Sequence, residues 1–204
     1  TMLEEELRKD VVGTMVREIR QRDFALIAGT QTIWRQLDLL AQYGYADETY
    51  RALLRDGPHG LKNAIRVNPL GILERFHKTE PADIASHSHA TFSQIARYFY
   101  YGLGGLRPDP DQPGFKHFVL APQVPHGLAS AGIKHESPYG LIESKWEQTD
   151  KAWSWQVRVP PNSTATVELP LRFRPKNVQL SGKSVDASSG LTLTPGAWRF
   201  VIEK

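Results

Sequence analysis

The stretch that decides the fold is RPDPDQPGF, Arg107–Phe115. Its three prolines cannot continue a helix, and its two aspartates favour local side-chain-to-backbone bonding, so it forms an ordered, non-helical connector. Asp109 and Asp111 therefore read as turn residues rather than as a catalytic pair. The chain changes its hydrophobic period across this connector, which makes it a boundary.

Downstream the period is two. Trp153, Trp155, Val157 and Val159 share one strand face, with Ser154, Gln156 and Arg158 on the other; Ala165, Val167 and Leu169 alternate with Thr164, Thr166 and Glu168. Further strands are expected in FKHFVLA, AGIKHE, GLIESKWE, NVQLSG and AWRFVIE. The turn segments SPYG, PPNS and TPG separate strands at the spacing of an all-β sandwich. The alternation puts Trp153 and Trp155 in the core, and Trp146 and Trp198 follow the same logic. Core packing thus outweighs a sugar-binding platform for these tryptophans.

Upstream the period is helical. Leu3, Leu7, Val11, Met15 and Ile19 recur every fourth residue with Val12 and Val16 beside them, which predicts an amphipathic helix. Its charged start, TMLEEELRKD, is not a signal peptide and reads as structure already under way. Thr30 is placed to cap a second helix carrying Ile33, Trp34, Leu37, Leu40 and Ala41, stopped by Gly44. Asp47 opens a third through Tyr50, Leu53 and Leu54, stopped by DGP. Short loops predict antiparallel neighbours, and Trp34, on an apolar stripe, reads as core.

The run Ala90–Leu106, ATFSQIARYFYYGLGGL, carries one charge, Arg97, and the aromatic residues Phe92, Tyr98, Phe99, Tyr100 and Tyr101. A helix that is apolar nearly all round is buried on all sides, as in the inner of two helical layers. Only three other helices are evident to cover it, so part of the helical domain is expected to lie outside these residues. The reading is α+β and multidomain: helices over 1–106, a connector over 107–114 and a β-sandwich over 115–204.

Composition excludes several chemistries. The 204 residues are 40% hydrophobic and 23% charged, ordinary for a soluble globular protein. A net charge of +3 with the basic residues scattered argues against a nucleic-acid surface. With no cysteine, disulfides, thiolate nucleophiles and cysteine-based zinc sites are excluded, and the compartment is left open. No apolar run approaches the ~20 residues of a membrane span.

The candidate chemistry lies in RVNPLGILERFHKTEPADIASHSHATF, Arg66–Phe92. Read locally, Glu74 is one carboxylate among apolar residues, partly desolvated by Leu73 and Phe76; most lone glutamates are solvated surface charges. His87 and His89, two apart with no evident third ligand, do not make a metal site. Ser86 and Ser88 lack the G-x-S-x-G context of a serine nucleophile. Neither a metal nor a cofactor is expected.

Five segments, in order, are similar to the C-terminal part of bacterial α-L-rhamnosidases of glycoside hydrolase family 78. They are GILERFH, SHSHATF, GLGGLRPDPDQPGFKHFVLAPQ, YGLIESKW and VPPNSTATVELP. PGFKHFVLAP and VPPNSTATVELP are the most specific, and the resemblance covers nearly the whole chain. It implies the last helices of an (α/α)6 barrel followed by an all-β C-terminal sandwich, with the rest of the catalytic barrel as a partner.

The resemblance also implies an inverting glycosidase, which uses a general acid and a general base about 6.5–9.5 Å apart. The family's base is the glutamate of a Trp-Glu-Arg-Trp-like segment, which falls on Leu73-Glu74-Arg75-Phe76 here. Glu74 is thus the expected base, and Phe76 and Arg75 are expected substrate contacts. His89 falls on a family histidine that hydrogen-bonds the sugar; local reading alone also allows a helix-start histidine bonded to backbone groups. The general acid is expected upstream, so these residues alone are expected to be inactive. The substrate implied is a rhamnose-containing glycoside or polysaccharide.

The chain departs from the family at Leu73 and Phe76, where tryptophans are usual, and at NPLGI, where a threonine-rich approach is usual. A second reading is therefore a noncatalytic carbohydrate-binding or structural module derived from such an enzyme. A third is a stand-alone helical scaffold that binds a partner.

Overall fold

The structure is a computed structural model that describes residues 5–26, 29, 32–74, 86–90, 94–170, 172–173, 177–186 and 190–204. It divides into two compact units, Thr1–Tyr98 and Phe99–Lys204.

In the first unit, α1 spans Glu5–Gln21, α2 Ile33–Gln42, α3 Ala46–Leu54, α4 Leu61–Val67 and α5 Ala96–Tyr98. Glu5 and Glu6 in the first turn of α1 and Arg20 in its last turn oppose the helix dipole. Val12, Val16 and Ile19 of α1 pack with Leu40 of α2. Ile19, Val12 and Val16 of the expected apolar face are buried and Met15 packs partly against them, whereas Leu7 and Val11 are exposed and Leu3 lies outside the described residues. The apolar face of α1 is broad, and its packed half is the one that carries the valines.

The second helix starts with Thr32 at its N-cap; Thr30 is outside the described residues. Ile33, Leu37, Leu40 and Ala41 are buried as expected, and Gly44 adopts the left-handed conformation that ends the helix. Trp34 departs from its core reading. It is half-buried, with the guanidinium groups of Arg35 and Arg97 at 4.9 Å and 5.2 Å from its ring, and Arg97 also pairs with Asp38 at 2.7 Å. Its stripe position borders the cationic face, where ring–cation attraction holds it. The short α4 was not evident from periodicity, since seven residues make barely two turns.

The aromatic run does not form one long buried helix. Its described part is α5, whose Tyr98 is buried, running into a π-helical turn, Phe99–Leu103. Phe99 and Tyr100 are 41% and 43% exposed. Backbone constraint ends the helix early. A Cβ on Gly104 would lie 2.4 Å from Ile133 Cγ1, and Gly105 takes φ +74° against Ala121 and Pro122.

The second unit is a β-sandwich. One sheet has the order β1-β2-β6-β9 (Leu106–Pro108, His117–Leu120, Thr164–Val167 and Leu191–Leu193), with β2 and β6 parallel. The other has the order β3-β4-β5-β10-β7-β8 (Ser130–Ser137, Gly140–Gln148, Ala152–Val159, Gly196–Glu203, Asn177–Leu180 and Lys183–Asp186), antiparallel throughout. The inner faces meet in one core, in which Trp146, Trp153, Trp155, Phe118 and Phe200 are fully buried. Trp198 packs partly against it and donates its indole N–H to the Thr194 carbonyl at 3.0 Å.

Buried polar contacts pin the glycine turn to this core. The Ser144 hydroxyl donates to the Gly104 carbonyl at 2.7 Å and accepts from Trp155 Nε1 at 2.9 Å, while Trp146 Nε1 donates to the Leu103 carbonyl at 2.8 Å. The Asp109 carboxylate accepts from the Asp111 N–H at 2.9 Å, which is the turn chemistry expected of that pair. Arg107 and Pro108, placed in the connector by sequence, belong to β1, an edge strand where proline is tolerated.

Candidate functional site

The candidate site is built beyond α4 from two short non-helical segments, Ile72–Glu74 and Ser86–His89. The Glu74 N–H donates to the Ser86 carbonyl at 3.0 Å, and the His89 N–H donates to the Ile72 carbonyl at 2.7 Å. Three residues on one side thus face four on the other, so the histidine-bearing segment bows outward by one residue, as in a bulge. The bow exposes His87 and Ser88, while His89 is half-buried.

Two residues fix this bow. Asn68, the C-cap of α4, donates through its side-chain amide to the His87 carbonyl at 2.6 Å. Gly71 lies so close beneath it that a Cβ there would be 2.9 Å from the His87 carbonyl oxygen and 3.0 Å from Ser88 Cβ. Neither role is legible from residue type alone. The Asn-Pro dipeptide at 68–69 is the signal that marks the turn.

Glu74, like His89, is half-buried, and among the described residues no cation is ion-paired with its carboxylate. Its neighbour Leu73 is fully buried, which anchors the segment from the apolar side. A half-buried carboxylate on a fixed backbone can take a proton from water, and a neighbouring imidazole can donate to or accept from a hydroxyl. Glu74 and His89 are brought onto paired segments. Arg75 and Phe76 lie outside the described residues. Trp146, Trp153 and Trp155 are sandwich core, as their alternation predicted.

Comparison with known proteins assigns both halves. Residues 1–103 match the family model of the bacterial alpha-L-rhamnosidase 6 hairpin glycosidase domain, and residues 105–184 match that of the bacterial alpha-L-rhamnosidase C-terminal domain. An alpha-L-rhamnosidase of Streptomyces avermitilis is 24% identical over 205 residues, a match covering 96% of this chain and 20% of that protein. The alpha-L-rhamnosidase structure from Dictyoglumus thermophilum aligns with a TM-score of 0.86 at 22% identity, over 99% of this chain and 24% of that one. The S. avermitilis alpha-L-rhamnosidase complexed with L-rhamnose gives 0.83 at 24% identity, over 98% of this chain and 20% of that one. At these identities the structural likeness establishes the fold, and the chain spans about a fifth of the length of the curated relative. The chain belongs to the bacterial alpha-L-rhamnosidase family, as a C-terminal portion that joins helices of the six-hairpin domain to the β-sandwich.

Proposed function

We propose that this chain is the C-terminal part of an inverting α-L-rhamnosidase-like hydrolase, with Glu74 as general base. The observation that carries the reading is the pairing of Ile72–Glu74 with Ser86–His89, which fixes the backbone of a solvent-accessible carboxylate beside that of His89. In this mechanism Glu74 takes a proton from a water as its oxygen attacks the anomeric carbon. A general acid outside residues 1–204 protonates the departing glycosidic oxygen, and the sugar leaves with inverted configuration. His89 holds a hydroxyl of the bound sugar, with Arg75 and Phe76 as further contacts. Rhamnose-terminated glycosides or polysaccharides are the substrates, and the remaining hairpins of the barrel complete the site.

The buried position of Leu73 supports catalysis over a noncatalytic module. A side chain that is fully buried exchanges packing, not sugar contact, when it stands in for tryptophan. The departure at this position thus does not by itself cost the site a sugar platform. The test is hydrolysis of an aryl α-L-rhamnoside by the protein at its full natural length and by its Glu74→Gln variant. Binding of rhamnosides without turnover in the unaltered protein would favour the noncatalytic module instead.

A further inference from the structure

The outer face of the six-stranded sheet has no role in this mechanism, yet it is hollowed. A trough of about 670 Å³ crosses β3, β4, β5 and β10. Its floor is the cross-strand row Gly132, Lys145, Gln156 and Arg199, beside the row Lys134, Glu143, Arg158 and Ala197. Gly132 supplies the depth: a Cβ there would press on Lys145 Cγ at 3.1 Å. Arg158 and Ala197 also line a second hollow of about 490 Å³, whose other walls include Pro160, Pro161 and Pro195.

Charge selects the occupant. Four cations line the trough, Lys134, Lys145, Arg158 and Arg199, against the single carboxylate of Glu143. Glu143 binds Lys134 at 3.0 Å and Arg158 at 2.7 Å, and Lys145 pairs with the adjoining Glu147 at 2.9 Å. Arg199 is exposed and, among the described residues, in no ion pair. The positive field is felt locally: first Lys145 and then Arg199 hold the Glu147 carboxyl below its ordinary range. Lys145 and Arg199 are two strand spacings apart, about 10 Å.

The remaining lining fits a hydroxyl-rich chain. Ser130, Gln156 and Ser181 offer neutral donors and acceptors, and the prolines offer a shallow apolar wall to the C–H faces of sugar rings. Among the described residues, no fully exposed large apolar side chain lies on this face; Trp198 and Ile133 reach the lining half-buried, so charge and hydrogen-bonding groups dominate what the trough presents. We propose that this trough is a secondary binding site for a carboxylate-bearing polysaccharide, a polyuronate, held chiefly by Lys145 and Arg199. The choice of a sugar polymer as carrier of the carboxylate rests on the glycosidase reading; the preference for an anion does not.

The experiment is affinity electrophoresis of the full-length protein in gels containing polygalacturonate, its methyl ester, or polyphosphate. Retardation by polygalacturonate alone is expected. K145Q/R199Q should weaken it at least tenfold, while K9Q/R17Q, which removes the same charge from α1, should not. Equal retardation by the methyl ester or by polyphosphate, equal loss in K9Q/R17Q, or no retardation would overturn the proposal. Aryl rhamnoside hydrolysis by K145Q/R199Q should be unchanged, so failure of the trough and failure of Glu74 as base are told apart.

Discussion

The two units bury their apolar surface in different ways. The sandwich closes on itself: its two sheets enclose Trp146, Trp153 and Trp155, and the indole N–H groups of Trp146 and Trp155 bond to buried acceptors. The helical unit packs one side and leaves Leu7, Val11, Leu54, Ile65 and Leu70 open, Leu70 at 93% exposure. Such a surface is what a helical layer presents when its apolar residues are meant for further helices. The sandwich therefore encloses its own core, and the helical unit carries the candidate site.

Mutations break this comparison at known points. The largest stability effect is expected for Trp155→Ala in the sandwich, about 3–5 kcal/mol, because a fully buried aromatic side chain leaves a cavity. By contrast, the exposed Leu54→Ser should stay within roughly 0.5 kcal/mol. Urea titration followed by circular dichroism checks both, and similar losses at the two positions would erase the distinction. Ser144→Ala should cost about 1–3 kcal/mol, since it strands the Gly104 carbonyl and the Trp155 N–H together. A Ser144→Ala variant as stable as the parent would show that water replaces the hydroxyl.

A smaller, pH-dependent effect separates the helical unit. Burial, aided by Asp47 and then Tyr50, raises the Tyr98 phenol above its ordinary value of 10.0. The folded state keeps the proton that the unfolded state loses above that pH, so this contribution is intact below pH 10.0 and is lost as pH rises. Tyr98→Phe should flatten the alkaline fall in stability of the helical unit and leave the sandwich untouched. An unchanged alkaline limb in Tyr98→Phe would place the titration elsewhere.

The sequence was most legible where period and burial coincide. Alternation of Trp153, Trp155, Val157 and Val159 announces β5, and the Arg107–Phe115 connector announces the change of architecture. Strands β1 and β9 are not legible because three residues cannot show an alternation, and β8, KSVD, because it is largely polar. The apolar face of α1 is legible as a whole, but Leu7 and Val11 on its edge are exposed, because only packing decides which part of a broad apolar face is covered. The aromatic helix is shorter than its composition implies because composition does not report the close approach of Gly104 to Ile133.

The site was legible by resemblance and only faintly by local chemistry. Glu74 and His89 are fifteen positions apart in sequence, and nothing periodic predicts that their segments pair. The pairing depends on Asn68 and Gly71, whose roles are a side-chain-to-backbone bond and the absence of a Cβ. Both are invisible until the backbone is folded.

The most direct measurement is the initial rate of aryl α-L-rhamnoside hydrolysis by the full-length protein and its Glu74→Gln variant. Loss of a general base predicts a fall in kcat of about a thousandfold or more with KM little altered. A Glu74→Gln variant with near-parental kcat would contradict the account and remove Glu74 from the mechanism.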